Sequence, residues 1–464
     1  MEIKLHNTLG NQKEEFKSIK SKAVHMYNCG PTVYSFAHIG NMRAYVFADI
    51  LRKTLKYFGY EVKQVINITD VGHLTDESDT GNDKIEEVAK KEKKTVTEIA
   101  RFYEKAYLED LKDLNINTQN TIFPRATEHI TEQIEIIKIL EEKGFAYQTT
   151  DGVYFNTSKF KDYGKLGNIN IKEQKEGSRI EKNSEKRNPA DFALWKFSPG
   201  AGSGQSSRLQ EWESPWGVGF PGWHIECSAM SQKYLGQPFD IHTGGIDHIP
   251  VHHNNEIAQS ECAFGVPLAN FWLHNEFLTI EGEKMSKSLK NTYTISDLKQ
   301  RKIHPLSFRF LLLSGHYGSP MNFTWDSVLG SQKALEKLVF EFDNLSDGEI
   351  DKETINQFKE FIADDLNTPK VLALLHETFS SKKSQKTVLE MDKVLGLNIA
   401  KLAKETKENI PEHILELKKE RDSAREQKNW QKSDELRKEI EREGYVLEDK
   451  EKESIIKKTL AGIV

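Results

Sequence analysis

Between residues 23 and 58 the apolar positions change period once. AVHMYN is a short apolar run that reads as a strand, and CGPTVYSFAHIGN, with its Gly and Pro, reads as a loop. Ala44, Phe47, Leu51, Leu55 and Phe58 then recur at steps of three and four, which predicts one buried face of a helix. Gly59 is a stop signal, and EVKQVINI reads as the next strand. Strand, helix and strand at this spacing predict a βαβ unit in a parallel sheet. Residues 126–143 predict a second amphipathic helix, with Ile130, Ile134, Ile137 and Leu140 on one face. FAYQTTDGVYFN predicts a β-hairpin turning at Asp151-Gly152. A hairpin interrupts the βα rhythm, so an inserted domain is expected at 119–218, carrying the charged KEQKEGSRIEKNSEKR and the flexible PGAGSGQSS. The rhythm resumes with FDIH, then GGID, then a helix from near Pro250. Residues 326–400 read as helical throughout, and the last sixty as two Lys/Glu-rich helices separated near Asn429.

Length and charge narrow the class. A chain of 464 residues allows about three domains with substantial cores. No apolar run approaches the ~18 residues of a membrane span. MEIKLHNTLG lacks the basic-then-apolar pattern of a signal peptide, so a cytoplasmic location without membrane contact is expected. Asp and Glu (71) outnumber Lys and Arg (65), so no wholesale basic footprint for nucleic acid exists, although basic residues confined to one face would still allow an RNA partner. Three cysteines (Cys29, Cys227 and Cys262) are too few and too odd for a disulfide framework, which leaves metal ligation or plain core thiols.

Three constellations could carry chemistry. His38-Ile39-Gly40-Asn41 sits where the first loop becomes a helix. A helix N-terminus presents free N–H groups and a positive dipole end to phosphate, Gly40 allows close approach, and His38 and Asn41 supply donors. The same residues would equally make an ordinary helix cap. Lys284-Met285-Ser286-Lys287-Ser288 places two lysines where both could meet charge growing on a reacting phosphate, or merely form a solvated run. The third is scattered: Cys29, Cys227 and the run His252-His253-Asn254-Asn255-Glu256. Zinc takes these ligand types, and His252 and Glu256, at i and i+4, would share a helix face. Two cysteines so far apart have no diagnostic spacing, and inert core thiols are the alternative.

Together these segments resemble the class I aminoacyl-tRNA synthetases, whose two signatures HIGN and KMSKS match. MYNCGPTVYSFAHIGN, NITDVGHLTD, ADFALWK, GWHIECSAM, IHTGGIDHIPVHHNNEIAQSE, FWLHNEFLTIEGEKMSKS, LLLSGHYGSPMNF and DDLNTP are similar to the cysteinyl-tRNA synthetase family over essentially the whole chain. The resemblance implies a doubly wound, Rossmann-like α/β catalytic domain in two halves (1–118 and 219–272) around the inserted connective domain (119–218). It further implies a stem-contact region with the KMSKS loop (273–325), a helical bundle (326–402) and a small C-terminal anticodon-binding domain (403–464). It implies cysteine–tRNA ligation, with L-cysteine, ATP and tRNA(Cys) as partners, Zn²⁺ as cofactor and Mg²⁺ arriving with ATP.

By the same resemblance Cys29, Cys227, His252 and Glu256 match zinc ligands, and His38, Gly40 and Asn41 match the ATP-phosphate signature. Lys284 and Lys287 match the mobile loop, Gly245 and Asp247 the segment holding the adenosine ribose, and Trp223 and His224 the wall of the cysteine pocket. Trp430 and Asp434 match a helix meeting the anticodon. Asn41 replaces the second histidine of the signature's usual form, Asn254 stands where Glu is expected, and the tail lacks the family's Gly-Thr-x-Trp ending. PGAGSGQSSRLQ lengthens the exit from the insertion and receives no function, and Cys262 is expected in the core. A monomer is expected. Two rival readings are a ligase passing cysteine to an amino sugar, which would lack the anticodon end, and a non-catalytic RNA-binding paralogue, which would have lost His38, Lys284 and Lys287.

Overall fold

A computed structural model describes residues 1–72, 84–169, 185–198, 208–285, 289, 291–449 and 454–464. An unforeseen hairpin, β1 (Lys4–Asn7) and β2 (Gln12–Glu15), opens the chain. The βα unit follows where the pattern placed it: β3 (Ala23–Asn28), α1 (Ile39–Tyr57) and β4 (Glu61–Ile66), with Gly59 in a left-handed conformation after the helix. Next come α2 (Lys84–Glu92), α3 (Val96–Asp113), β5 (Thr121–Ile122) and α4 (Ile130–Glu142). The helix predicted at 126–143 is therefore α4 preceded by a 3₁₀ turn, Ala126–His129.

The inserted sheet is antiparallel: β6 (Ala146–Gln148), β7 (Gly152–Phe155), β8 (Phe192–Phe197) and β9 (Gly219–Pro221), in that order. Its hairpin turns one residue earlier than expected. Gln148 faces Val153 and the Thr149 N–H donates to Gly152 O, so Thr150 and Asp151 form the turn and neither has positive φ. Gly152 is a strand residue instead; a Cβ there would collide with Trp195 O across the β7–β8 pair. Asp-Gly signals a tight turn only when the glycine's left-handed freedom is used, and here its missing side chain is what matters.

After the insertion, α5 (Trp223–Leu235), β10 (Phe239–Gly245), α6 (Asn254–Phe264) and β11 (Ala269–Asn275) complete the central sheet. The predicted FDIH and GGID lie together at β10, whose last residue is Gly245, and the helical turn begins at Ile249 with Pro250 next. All neighbours in the order β11-β10-β3-β4-β5 run parallel. The chain winds outward from β3 to β5, then returns to add β10 and β11 on the other side. This is the doubly wound, Rossmann-like arrangement, with its switch point between β3 and β10, where ligands bind beyond the carboxyl ends of strands.

Short parallel strands β12 (Leu278–Ile280) and β13 (Met321–Phe323) flank α7 (Ile295–Gln300) and α8 (Pro305–Leu313). The bundle is α9 (Trp325–Glu341), α10 (Lys352–Ala363), α11 (Thr368–Ser380), α12 (Gln385–Leu395) and α13 (Ile399–Glu405). Helices α14 (Glu412–Glu426) and α15 (Trp430–Arg442) break at Asn429 as expected, and an unforeseen hairpin, β14 (Tyr445–Asp449) and β15 (Ser454–Lys458), packs on them through Ile414, Ile440, Leu447 and Ile456.

One apolar core runs from the sheet (Val24, Met26) through α1 into the bundle (Leu375, Val394). A second lies on the other sheet face (Tyr27, Val65, Phe239, Trp272), and a third joins α4 and the inserted sheet to α5 and α6. Helix α1 corrects one expectation. It is buried almost all round, including Arg43, Asp49 and Arg52, and Ala44 is only half-buried. The sheet covers one side while α8, α12 and β12 cover others, so its polar residues must find partners inside the protein.

Candidate metal and nucleotide site

The topology brings the distant cysteines together. Cys29 follows β3 directly, and its N–H donates to Thr243 O on β10 across the switch point at 3.1 Å. Cys227 lies in the first turns of α5, which the inserted sheet returns to the core through β9. A π-type turn, Ile249–His253, leads into α6 and carries His252 and His253. Such widened turns are common at functional sites because they rotate side chains out of α register. His252 Nε2 and Glu256 Oε1 are 3.0 Å apart, as the i, i+4 spacing predicted.

Cys29, Cys227, His252 and Glu256 each present a ligand atom within 4.8 Å of the others. Two thiols, an imidazole and a carboxylate are donors that suit zinc, and their closeness fits one ion. Cys29, His242, His253 and Glu256 form an overlapping group with the same spread. There His242 Nε2 contacts Glu256 Oε2 at 2.8 Å, and His253 Nε2 faces Cys29 Sγ at 3.3 Å. The first set has the softer donors. In it, His242 orients the carboxylate, the usual task of a hydrogen-bonded neighbour of a metal ligand.

Electrostatics follow the same division. Hydrogen bonding from Cys29 brings the Cys227 thiol down to about 7, while burial, with Cys227 beside it, pushes Cys29 well up. Burial would lower His252, but Glu256 and Cys227 outweigh it and raise the imidazole to about 10. Burial would likewise raise Glu256, yet His242 and His252 hold it down at about 2. His248, at about 4, and His253 and His274, well below the usual range, are kept neutral chiefly by burial. His242 Nδ1 and His248 Nδ1 are buried with no hydrogen-bond partner among the described residues. A metal cation bound by these donors would displace the protons that Cys29 and His252 otherwise hold.

The pattern had not marked His242, His248 or His274 as site residues, and His253 stood only as a member of the run from His252 to Glu256, with no ligand role of its own. The available signal was histidine at or beside the ends of two adjacent strands, which face the carboxyl edge once the sheet order is known. His274 links outward, from His253 Nδ1 at 2.7 Å to Thr8 Oγ1 at 2.8 Å on the N-terminal hairpin's turn. Trp223 packs on His252 with ring centroids 4.4 Å apart. His224 is buried behind, its Nδ1 2.9 Å from His252 Nδ1. A Cβ at Gly245 would collide with the Asp247 carboxylate, and one at Gly244 with His253 and His248.

The two signatures also meet. His38 caps α1: Asn41 N–H donates to His38 Nδ1 at 3.2 Å, and His38 N–H donates to Asn41 Oδ1 at 3.1 Å. The plain cap reading is thus physically present, and it fixes chemistry. With Nδ1 accepting, the neutral ring carries its proton on Nε2, and Asn41 retains its amide NH₂ donors. The Ile39 N–H donates to Tyr293 O at 2.8 Å, which ties the far end of the KMSKS loop to the helix N-terminus. A Cβ at Gly40 would strike Met285 Cε, so the near end of that loop lies on the first signature. Lys284 is exposed in this loop, and Lys287 lies outside the described residues.

Elsewhere, Cys262 packs in the third core, where burial pushes its thiol up to about 12. Trp430 and Asp434 are exposed on α15, which packs on α14 and β14, apart from the sheet edge. Residues 199–207 of the Gly/Ser-rich segment are outside the described residues.

Residues 15–333 match the family profile of the class I (C) tRNA synthetase catalytic domain. Cysteine--tRNA ligase of Treponema denticola is 46% identical, with 97% of this chain and 98% of that protein covered. Cysteine--tRNA ligase 1 of Burkholderia lata is 44% identical over 97% of this chain and 95% of its own. Among solved structures, Mycobacterium tuberculosis methionyl-tRNA synthetase bound by methionyl-adenylate superposes with a TM-score of 0.53 at 15% identity, covering 82% of this chain and 91% of that one. A LeuRS–tRNA–LeuAMS ternary complex from Agrobacterium radiobacter K84 gives 0.56 at 11% identity, over 84% and 85%. At these identities the structural likeness concerns the fold alone.

Proposed function

The chain belongs to the cysteine--tRNA ligase family of class I aminoacyl-tRNA synthetases, and from that premise we propose that it activates L-cysteine with ATP and transfers it to the 3′-terminal ribose of tRNA(Cys). The observation that carries the cysteine assignment is the convergence of Cys29, Cys227, His252 and Glu256 at the switch point. These four would hold zinc. When bound there, zinc would supply a borderline-soft Lewis acid suited to a thiolate sulfur, with no comparable affinity for serine's hydroxyl. Shape alone separates such small side chains by only about 1–3 kcal/mol, so chemistry rather than volume must discriminate. Trp223, against His252, walls the pocket, and buried His224 holds the His252 ring in place.

In this reading an oxygen of the cysteine carboxylate attacks the α-phosphorus of ATP, and pyrophosphate leaves. No side chain acts as nucleophile, and catalysis is positioning plus charge stabilisation. His38 Nε2, the Gly40 N–H and the Asn41 amide would donate to phosphate oxygens at the N-terminus of α1. Gly245 leaves room for Asp247, whose carboxylate would accept from the ribose hydroxyls. Lys284 and Lys287 would close over the phosphates as charge builds, and Mg²⁺ would arrive with ATP. A terminal ribose hydroxyl of tRNA then attacks the adenylate carbonyl and AMP leaves.

We assign catalysis to 1–118, 219–272 and the loop region 273–325, and the insertion 119–218 to connection. Anticodon contact falls to 403–464, with exposed Trp430 and Asp434 as contacts and the bundle 326–402 between. Among the described residues no helix is long and apolar enough to cross a membrane, and we take the enzyme to act in the cytoplasm as a monomer. ATP–pyrophosphate exchange with cysteine and serine, together with charging of total tRNA, tests the proposal. Exchange with cysteine alone, charging of one tRNA species and about one zinc per chain by elemental analysis are expected. Exchange driven equally by serine, or no charging by a chain active in exchange, would overturn it.

A further inference from the structure

Arg43 lies in the second turn of α1, only 3% exposed, and its guanidinium is aimed entirely at main-chain oxygens. Nη1 donates to Phe277 O at 2.5 Å, and Nη2 donates to His316 O, Tyr317 O and Ser319 O at 3.3, 3.2 and 2.5 Å. The first carbonyl immediately precedes β12 and the other three precede β13, the parallel pair that carries the KMSKS loop on its first strand. A rigid, permanently charged fork can grip carbonyls from two separate segments at once, whereas a lysine offers a single point charge. The main chain of Phe277 is therefore fixed to the same helix whose first turn bears His38, Gly40 and Asn41.

The Phe277 ring is 45% exposed, although its backbone is gripped on both sides: its carbonyl accepts from Arg43 and also from Met321 N–H at 3.1 Å. What the ring carries is the Lys284 ammonium, 5.6 Å from its centroid. Lys284 is the first lysine of the second signature, and its neighbour Met285 rests on Gly40. We propose that Arg43 and Phe277 are positioning residues that seat Lys284: Arg43 fixes the Phe277 main chain to the signature helix, and the ring holds the ammonium beside that helix's N-terminus. The inference rests on the adenylation reading of this site. A long lysine chain in a polar loop loses much rotamer freedom when it must meet a phosphate, and a cation-attracting ring removes part of that cost beforehand. Leucine would match the ring's apolarity but not its quadrupole.

The full-length zinc-loaded enzyme provides the test. Phe277→Leu should lower the exchange kcat by about two- to fivefold, the factor expected of a cation–π contact at a half-exposed site, with KM for cysteine, zinc content and thermal midpoint unchanged. Phe277→Tyr and Phe277→Trp should restore it. In a Lys284→Ala background, Phe277→Leu should change nothing further. Independently of activity, ¹³C-dimethylated lysines should show, beside the ring-shifted methyl signals of other lysines that lie over aromatic rings, such as Lys94 and Lys457, one that Lys284→Arg abolishes and Phe277→Leu returns to the bulk position. Equal losses from Phe277→Leu with and without Lys284, or no ring-shifted signal that is lost in Lys284→Arg, would overturn the seat. Wild-type enzyme lacking cysteine-dependent exchange would instead count against the adenylation reading, while the NMR signal still decides the seat.

Discussion

Two clusters of ionisable side chains lie largely buried inside this protein, one at the carboxyl edge of the sheet and one beside the second half of α1. At the carboxyl edge of the sheet are Cys29, Cys227, His252 and Glu256 with four further histidines. At the other end of α1, Asp49 meets Arg309 at 2.7 Å, Lys53 at 2.7 Å and Arg52 at 3.7 Å. The second cluster carries its own counter-charges, although Asp49 Oδ1 and Arg52 Nε have no hydrogen-bond partner among the described residues. Arg309 gives its remaining donors to Leu395 O at the end of α12 and Leu114 O at the end of α3, and Lys53 donates to Asn115 O. Helix C-terminal carbonyls carry partial negative charge, so they complete the balance that one carboxylate cannot. The first cluster gathers two thiols, a carboxylate and several imidazoles around one point, and the Nδ1 atoms of His242 and His248 have no hydrogen-bond partner among the described residues. A buried set whose cations meet an anion and helix-end carbonyls is a pin; a buried set of soft donors converging on one point is a receptor.

The sharpest way to break this comparison is to remove the receptor's soft donors. Cys29→Ser with Cys227→Ser should abolish zinc retention and lower exchange with cysteine by on the order of a thousandfold, about 4 kcal/mol of transition-state stabilisation. The preference over serine should collapse with it, as dialysis with elemental analysis and parallel exchange assays would measure. Full activity and undiminished selectivity in that variant would remove the cysteine assignment.

The pin should fail in the opposite manner. Asp49→Asn leaves three cations around a neutral amide and should cost about 3–5 kcal/mol of stability, read as a lowered unfolding midpoint, with zinc content unchanged in the folded protein. Asp49→Leu with Arg309→Met should recover only part of the loss, because Arg309 is then removed with its anion while Lys53 and Arg52 still lack theirs. Burial would raise the Asp49 carboxyl, but Lys53 and Arg309 hold it below the usual range. Its contribution is therefore complete above the ordinary carboxylate value near 4 and lost as pH falls through the folded one. The gap between wild type and Asp49→Asn should stay level from about pH 5 to 8 and close in acid. A gap that widens in acid would show that the carboxylate is not what the cations need.

How much of either cluster could be read beforehand depends on what brought it together. The strand at Ala23–Asn28 and the helix after it follow from a change of apolar period, a local property. His252 and Glu256 follow from helical geometry four residues apart. Cys29 and Cys227 meet only because the chain returns to β3 after completing β5 and the insertion, and no spacing encodes that; the family resemblance supplied the pairing. Asp49 was less legible still. It sits in AYVFADIL as an acidic residue on what periodicity takes for a solvent face, and its burial arises from α8 and α12 packing on that side. The terminal hairpins were missed because each strand is short and polar positions outnumber apolar ones in β1, β2 and β15. Asp151-Gly152 misled because the glycine answers a close strand approach rather than a turn.

Asp110 sharpens the contrast from beside the pin. It lies on α3, one turn before the Leu114 carbonyl that Arg309 takes, yet it gains no guanidinium of its own. Burial, reinforced by Asp113, pushes its carboxyl up to about 7 despite Lys299, which pairs instead with Asp113 at 2.8 Å. A raised carboxyl favours the folded state below its ordinary value near 4 and loses that advantage as pH climbs through about 7. Asp110→Asn should therefore raise the thermal midpoint at pH 8 by about 2 °C, the scale of 1 kcal/mol in a large domain, and leave it unchanged near pH 4. Differential scanning across that range would decide it. An equal shift at both ends would mean that the amide gains a new hydrogen bond, and that Asp110, like Asp49, is already satisfied as an anion.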